Sequence, residues 1–355
     1  MEFGILGLSL SGKTTLFALL TGHMQATHGR RTAQTGVAQV PDERLDRLTA
    51  LFSPRKHTPA TVQFVDVPAL IRGGDSALNV PELRGMDALA VVVRAFAAPE
   101  IPHPEGSLDP ARDLELVETE LLLADLKVVE NRLERLAKEI VKRRSPELSA
   151  EQQACERCQT ALAAGRPVRE LDLSPEETRA LKGFGLLTAK PLLVVLNIGE
   201  DGVPHLLEDP AALLPARGEH PGHTVTAVCA TLEQEISRLS PADQAAFLAE
   251  LGLPDRALDR LLRAAYHLTG RISFFTVGED ECRAWSIPRG STAARAAGVI
   301  HSDLERGFIR AEVARWDELV EAGSLAALRA RGSLRLEGRD YVVQDGDVVH
   351  IRSGL

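Results

Sequence analysis

The sequence predicts an α/β chain: a doubly wound domain with a mostly parallel sheet, interrupted by an antiparallel helical hairpin and followed by a small β-rich domain. Three observations carry this. Runs apolar at nearly every position (EFGILGL 2–8, TVQFVDV 61–67, ALAVVVRAF 88–96, KPLLVVLNI 190–198, HTVTAVCA 223–230) alternate with helical patterns, as in a sheet covered on both faces. From about Asp113 to Arg144 the chain becomes one long, charged helical pattern. From about Arg271 the apolar runs are shorter and surround a single helical stretch. The expected division is 1–112 with 185–270 for the α/β domain, 113–184 for the insertion and 271–355 for the β-rich domain.

Composition narrows the function. A chain of 355 residues has ample surface to bury a core; at 44% hydrophobic but 4% aromatic, that core is mostly Leu, Val and Ala. A net charge of −9 argues against attraction of the whole chain to nucleic acid, so DNA is not an expected partner. No apolar run is long enough for a membrane span. The opening MEFGILGL lacks a basic n-region, so no signal peptide is expected. Four cysteines give no disulfide framework, which fits a reducing cytoplasm.

In chain order, EFGILGL reads as a strand and KTTLFALLTG as a helix. In the insertion, Leu126, Val129, Leu133, Leu136 and Ile140 step by three and four, a coiled-coil seam. RRSPE turns the chain near 143–147, and Leu148, Cys155, Cys158 and Leu162 form the returning stripe. Cys155 and Cys158 make a C-x-x-C, but with no second Cys or His pair nearby they read as small seam residues before metal ligands. Ser174 with Pro175, and Ser240 with Pro241, each open a helix. RISFFTV, CRAWSI, GRDYVV and VVHIRSGL are short strands around TAARAAGVIH, an arrangement compatible with a β-grasp. Residues 271–355 hold 12 Arg, no Lys and 13 acids, a balance that disfavours nonspecific nucleic-acid binding while leaving bidentate phosphate contacts open.

The chemistry opens at GLSLSGKT, a G-x-x-x-x-G-K-T between strand and helix. Its glycines let the backbone of Ser9, Leu10, Ser11 and Gly12 curl so that N–H groups face a phosphate, with Thr15 following on the helix. Lys13 is placed for the β/γ-phosphates, and the Thr14 hydroxyl for Mg²⁺. Asp66 ends the strand of FVDVPALI, where such proteins keep the carboxylate that supports Mg²⁺ through water. In VVLNIGED, Asn197 follows a buried strand at the place of a base-reading loop. Ras-like GTPases carry N-K-x-D there; this chain has Asn197, Ile198, Gly199, Glu200. The extra methylene of Glu200 misplaces the carboxylate for guanine, while the Asn amide suits adenine N6 and N7. VCATLE, with Cys229 and Ala230, fits the loop that closes over the base. The expectation is a P-loop nucleotide-binding domain tilted toward ATP.

These residues resemble the Obg-like ATPases of the YchF type, nearly end to end. The resemblance is carried by GILGL with the P-loop, VPDERLDRL, PATVQFVDV, VVVRAF, LDLSPEE, LNIGED, AAGVIHSDLERGFIRAEV and GRDYVVQDGDVVHIR. It implies a P-loop G domain, a coiled-coil insertion and a C-terminal TGS domain of β-grasp type. It also implies ATP preferred over GTP, Mg²⁺, and association with the ribosome or its RNA in the cytoplasm. Leu10 stands where the family has an Asn linked to potassium. Ala69 replaces the second-switch glycine, and Arg30 replaces a first-switch Thr, for which Thr32 or Thr35 could substitute. Leu70 matches the hydrophobic residue that stands in for the catalytic Gln of Ras-like enzymes. The family's candidate for orienting water, a His on a mobile loop, matches His103 in EIPHPEGSLDP. A slow ATPase is therefore expected. The alternative is a non-catalytic, ATP-gated adaptor with eroded switches; Glu200 disfavours a true GTPase.

Overall fold

The computed structural model describes residues 1–22, 33–68, 81–143, 145–203, 205–214 and 222–354. The chain divides into two compact units, 1–38 with 63–264 and 39–62 with 265–355.

The first unit holds a six-stranded sheet of order β2-β4-β1-β5-β6-β7, formed by β1 (Glu2–Leu6), β2 (Gln34–Gln39), β4 (Thr61–Asp66), β5 (Ala88–Ala95), β6 (Leu192–Ile198) and β7 (His223–Val228). β3 (Lys56–Thr58) belongs elsewhere. β1 runs parallel to β4 and β5, β5 to β6, and β6 to β7. All seven residues of β6 are buried, as are the first seven of β5. Burial on both faces is why these strands read as continuous apolar runs rather than alternating ones. The end of β1 faces the point where successive strands turn to opposite sides of it, the usual ligand crevice of such sheets.

The hairpin comprises α4 (Pro110–Lys142) and α5 (Pro146–Ala163), following α1 (Lys13–Thr21), α2 (Glu43–Phe52) and α3 (Pro81–Gly85). Asp109 caps α4 by accepting from Arg112 N–H, and Ser145 caps α5 by accepting from Leu148 N–H, each with a proline in the first turn. Val129, Leu136, Ala154, Cys155, Cys158 and Leu162 form the buried seam, with Leu126, Leu133, Ile140 and Leu148 packed against it. Burial pushes both thiols up to about 11, so they stay protonated packing groups.

A buried carboxylate fastens the hairpin. Asp125 of α4 is fully buried; it accepts from the N–H groups of Leu187 (3.0 Å) and Thr188 (2.7 Å) and from Thr188 Oγ1 (2.8 Å). Arg84 of α3 pairs with it at 3.2 Å and also donates to Gly185 O. Removing one partner of such a pair strands the others in a dry site. Asp125→Ala is expected to cost about 3–5 kcal/mol, read as a lower urea midpoint, whereas a change within 0.5 kcal/mol would show that water replaces the carboxylate.

The second unit carries a sheet of order β11-β10-β12-β8-β9-β3, with β8 (Arg271–Thr276), β9 (Glu281–Pro288), β10 (Phe308–Arg315), β11 (Arg335–Glu337) and β12 (Asp347–Ser353). β8–β9, β10–β11 and β10–β12 are antiparallel, while β12–β8 and β3–β9 are parallel. Ile272, Phe274, Ile287, Val313 and Val349 form its core with Ala293, Ala296 and Ala297 of the helix Ala293–Ile300.

Two boundaries differ from the sequence reading: residues 265–270, expected with the α/β half, lie in the second unit, and so does an earlier segment. Residues 39–62 were expected with the α/β half, yet they lie in the second unit. The cause is β3, which pairs Lys56, His57 and Thr58 with Glu281, Cys282 and Arg283. Thr58 Oγ1 donates to Glu281 at 2.6 Å, and Arg44 of α2 reaches Asp345 at 3.0 Å. The long helix also starts at Pro110, three residues before the expected 113.

Candidate nucleotide-binding site

The loop between β1 and α1 is shaped by its glycines. Gly7 has φ 152°, and a Cβ there would collide with Val92 O. Gly12 has φ 93° and lies against the Asn197 side-chain amide, which a Cβ would strike. α1 starts at Lys13 with no side-chain cap and no acid in its first turn. Its N-terminal N–H groups are thus left for an anion, and the helix dipole favours one. Ser9 and Leu10 are exposed at the rim, Ser11 is buried, and Thr15 is half-buried on α1. Leu10 sits at φ 63°, where Asn is tolerated better than Leu, and is 53% exposed.

Lys13 is buried, and burial lowers its pKa while Asp66 opposes the shift. Burial likewise raises the Asp66 pKa against the pull of Lys13 and Thr14. Thr14 Oγ1 donates to Asp66 Oδ2 at 3.3 Å, and Asp66 Oδ1 is buried without a partner among the described residues. A hydroxyl and a half-satisfied carboxylate, both hard oxygen donors, beside a phosphate-binding loop fit Mg²⁺.

At the base side, the structure gives Asn197 a bracing role. Its Nδ2 donates to Ser11 O at 3.1 Å, and its Oδ1 accepts from Ala230 N–H at 3.2 Å. Both ends of the amide brace the P-loop against the Cys229–Ala230 loop, leaving one N–H and one oxygen lone pair of the amide. Ile198 is buried in β6, and Cys229 and Ala230 are buried as well. Glu200 opens a short turn, and its Oε1 accepts from Thr231 Oγ1 at 3.0 Å. The Thr231 hydroxyl lies 3.3 Å from Cys229 Sγ. Sequence reasoning missed Thr231, because a loop threonine carries no signal until its carboxylate partner is placed.

His103 is not the solvated imidazole of a loose loop. Its side chain is 7% exposed, and its Nε2 lies 2.9 Å from Asp113 Oδ2, itself 4% exposed. Glu105 N–H donates to His103 Nδ1 at 3.1 Å, which assigns the ring proton to Nε2 and the bond to Asp113. Arg112 holds the other Asp113 oxygen at 2.7 Å. Buried Arg94 fastens the loop before it, donating to Phe96 O and Ile101 O. Asp113 and Arg94 also escaped the sequence reading; both looked like ordinary helix and strand-end charges. A small cavity is lined by Ser9, Ser11, Arg94, His103 and Asp113, which places the imidazole behind the P-loop. Leu70, Ala69, Arg30 and Thr32 lie outside the described residues, and Thr35 is an exposed residue of β2.

Comparison with known proteins follows the same lines. Residues 271–354 match the YchF-GTPase C-terminal family, described as "Protein of unknown function (DUF933)". The chain is 39% identical to the ribosome-binding ATPase YchF of Bacillus subtilis, over 98% of each chain. It is 34% identical to the Obg-like ATPase 1 of Oryza sativa, over 99% of this chain and 92% of that one. The solved Schizosaccharomyces pombe YchF GTPase is 29% identical, with a TM-score of 0.83 over 99% of this chain and 97% of that one. In sequence and in fold alike, the chain belongs to the YchF family of Obg-like ATPases.

Proposed function

We propose that this P-loop protein binds ATP with Mg²⁺, hydrolyses it slowly, and associates with the ribosome from the cytoplasm. The observation that supports nucleotide binding best is the uncapped N-terminus of α1, with Lys13, Thr14 and Asp66 gathered beside it. The backbone from Ser9 to Thr15 would hold the phosphates, with Lys13 as the mobile cation. Thr14 and Asp66 would hold Mg²⁺, which neutralises charge on the phosphate oxygens when bound. Asn197 would keep the P-loop and the base loop in register, with Glu200, Cys229 and Ala230 at the base. The second unit is read as a TGS domain of β-grasp type, and α4 with α5 as the coiled-coil insertion. Relatives named ribosome-binding ATPases support the ribosome as partner. No helix of the described residues is long and apolar enough to cross a membrane.

A second reading has its own support. The His103 Nε2 proton is committed to Asp113, so the candidate for orienting water is engaged by a carboxylate in this arrangement. A protein in this state would bind ATP without turning it over and act as a gated adaptor. Equilibrium binding of ATP and GTP, beside single-turnover hydrolysis with and without 70S ribosomes, separates the readings. Tighter ATP than GTP binding with slow hydrolysis is expected. Tight ATP binding with no hydrolysis in either condition identifies the adaptor, and a preference for GTP overturns the place given to Glu200.

A further inference from the structure

The far end of the hairpin carries a charge pattern that the nucleotide site does not use. Arg135, Lys138 and Lys142 follow one another at three and four residues on α4, so they share one face of its last two turns. All three are exposed, while Leu136 is buried and Leu133 and Ile140 pack into the seam. The cations therefore stand on the side away from α5. None of the three has an ion pair or a side-chain hydrogen bond among the described residues. Arg143 follows directly and is exposed as well.

Neutralisation within the hairpin is partial. Arg132 holds Glu139 at 2.9 Å while also gripping Glu151 at 2.7 Å, and exposed Glu134, one turn before Lys138, is among the described residues the one acid beside the row that is left to offset it. The helix dipole favours a cation in the last turn, which accounts for Lys142. It falls off within that turn and does not account for Arg135 or Lys138. Beside them Val141 is 87% exposed, an apolar side chain that contributes nothing to the seam. In a chain of net charge −9, a row of unpaired cations is set at the end of a 33-residue helix. That helix is about 50 Å long.

We propose that this end of the hairpin is the surface through which the protein contacts ribosomal RNA, with Arg135, Lys138 and Lys142 on backbone phosphates. The proposal rests on the ribosome-association reading above and adds where that contact is made. Three point cations at helical spacing suit a row of phosphates, and their charge is of the opposite sign to that of the RNA. They carry no base readout, so the contact is positioned by shape and charge rather than sequence.

The test is co-sedimentation of the full chain with purified 70S ribosomes over a salt series, with the triple variant Arg135→Glu, Lys138→Glu, Lys142→Glu alongside. Glutamate keeps helix propensity on an exposed face, and far-UV circular dichroism and ATP affinity are measured on the same preparations to verify the fold. Wild type is expected to bind with a steep salt dependence. The variant should bind about tenfold or more weakly, with the slope of log K against log salt reduced by about two to three, close to one per lost phosphate contact. Equal affinity and slope in the two proteins would overturn the proposal while leaving ribosome association intact. Weaker binding with an unchanged slope would point to a ribosomal protein and overturn the RNA assignment. If wild type itself fails to sediment with ribosomes, the ribosome reading falls first and takes the proposal with it.

Discussion

Lys13→Ala is expected to weaken ATP binding about 100-fold, near 2.7 kcal/mol, the upper range for a hydrogen bond to a charged group. The ammonium is buried at the first turn of α1, where burial lowers its pKa and neighbouring Asp66 opposes the shift. When nucleotide binds, the same cation would neutralise the β/γ-phosphates, and no other residue of the loop is charged. Removing it leaves the backbone N–H groups and the helix dipole, which are weaker attractors on their own. The cleanest readout is thermal stabilisation by Mg-ATP. At a ligand concentration 100 times Kd, wild type gains about 2.7 kcal/mol, whereas a variant with 100-fold weaker binding gains about 0.4 kcal/mol. The apo variant should keep its circular dichroism, because a desolvated lysine already carries an unfavourable burial cost. An ATP-induced shift equal to that of wild type would mean that the P-loop does not hold phosphate here.

How far such a site can be read from sequence depends on whether its signals are local. The P-loop was legible because strand, glycines, Lys13 and helix start are consecutive, and the structure assembles them as the spacing demands. The parallel sheet was legible for a similar reason: burial on both faces leaves an unbroken apolar run in each strand. The placement of 39–62 was not legible. β3 is three mostly exposed residues, KHT, whose partner strand begins at Glu281, and nothing in so polar a stretch announces that pairing. Asp125 was hidden by its surroundings, since a carboxylate on a charged helix reads as solvated until Leu187, Thr188 and Arg84 close over it. Asn197 was legible in position, and its bracing bonds were not. Its spacing marks a base-reading loop, but only coordinates show that Ser11 O and Ala230 N–H take up its amide. For His103 the loop sequence implied exposure, because the covering carboxylate lies ten residues downstream on the next helix.

That buried imidazole frames the second large effect. His103→Ala is expected to lower single-turnover ATP hydrolysis by about 100-fold, the lower end of the range for a positioned acid–base group, while ATP affinity stays within a factor of two. Loss of rate without loss of affinity is what an interaction made only in the transition state produces. On the proposed ATPase reading, the geometry would make turnover slow. Nε2 donates to Asp113, Nδ1 accepts from Glu105, and Arg94 ties the preceding loop through Phe96 O and Ile101 O. As a base toward water the ring would use Nδ1, released from Glu105 N–H, because Nε2 carries the proton given to Asp113. On that reading each turnover would include freeing the imidazole from a bond that holds it, which would slow hydrolysis without weakening the grip of the P-loop. The structural role of His103 is separable from a catalytic one by His103→Gln. Glutamine can donate to Asp113 and preserve the packing, yet it has no nitrogen lone pair such as Nδ1, once released from Glu105, would offer to a proton of water. A catalytic His predicts that Gln is as slow as Ala, with an unfolding midpoint nearer to wild type. Hydrolysis by His103→Ala at the wild-type rate would remove His103 from the chemistry, and with Gln restoring stability alone it would leave His103 and Asp113 as packing for the P-loop.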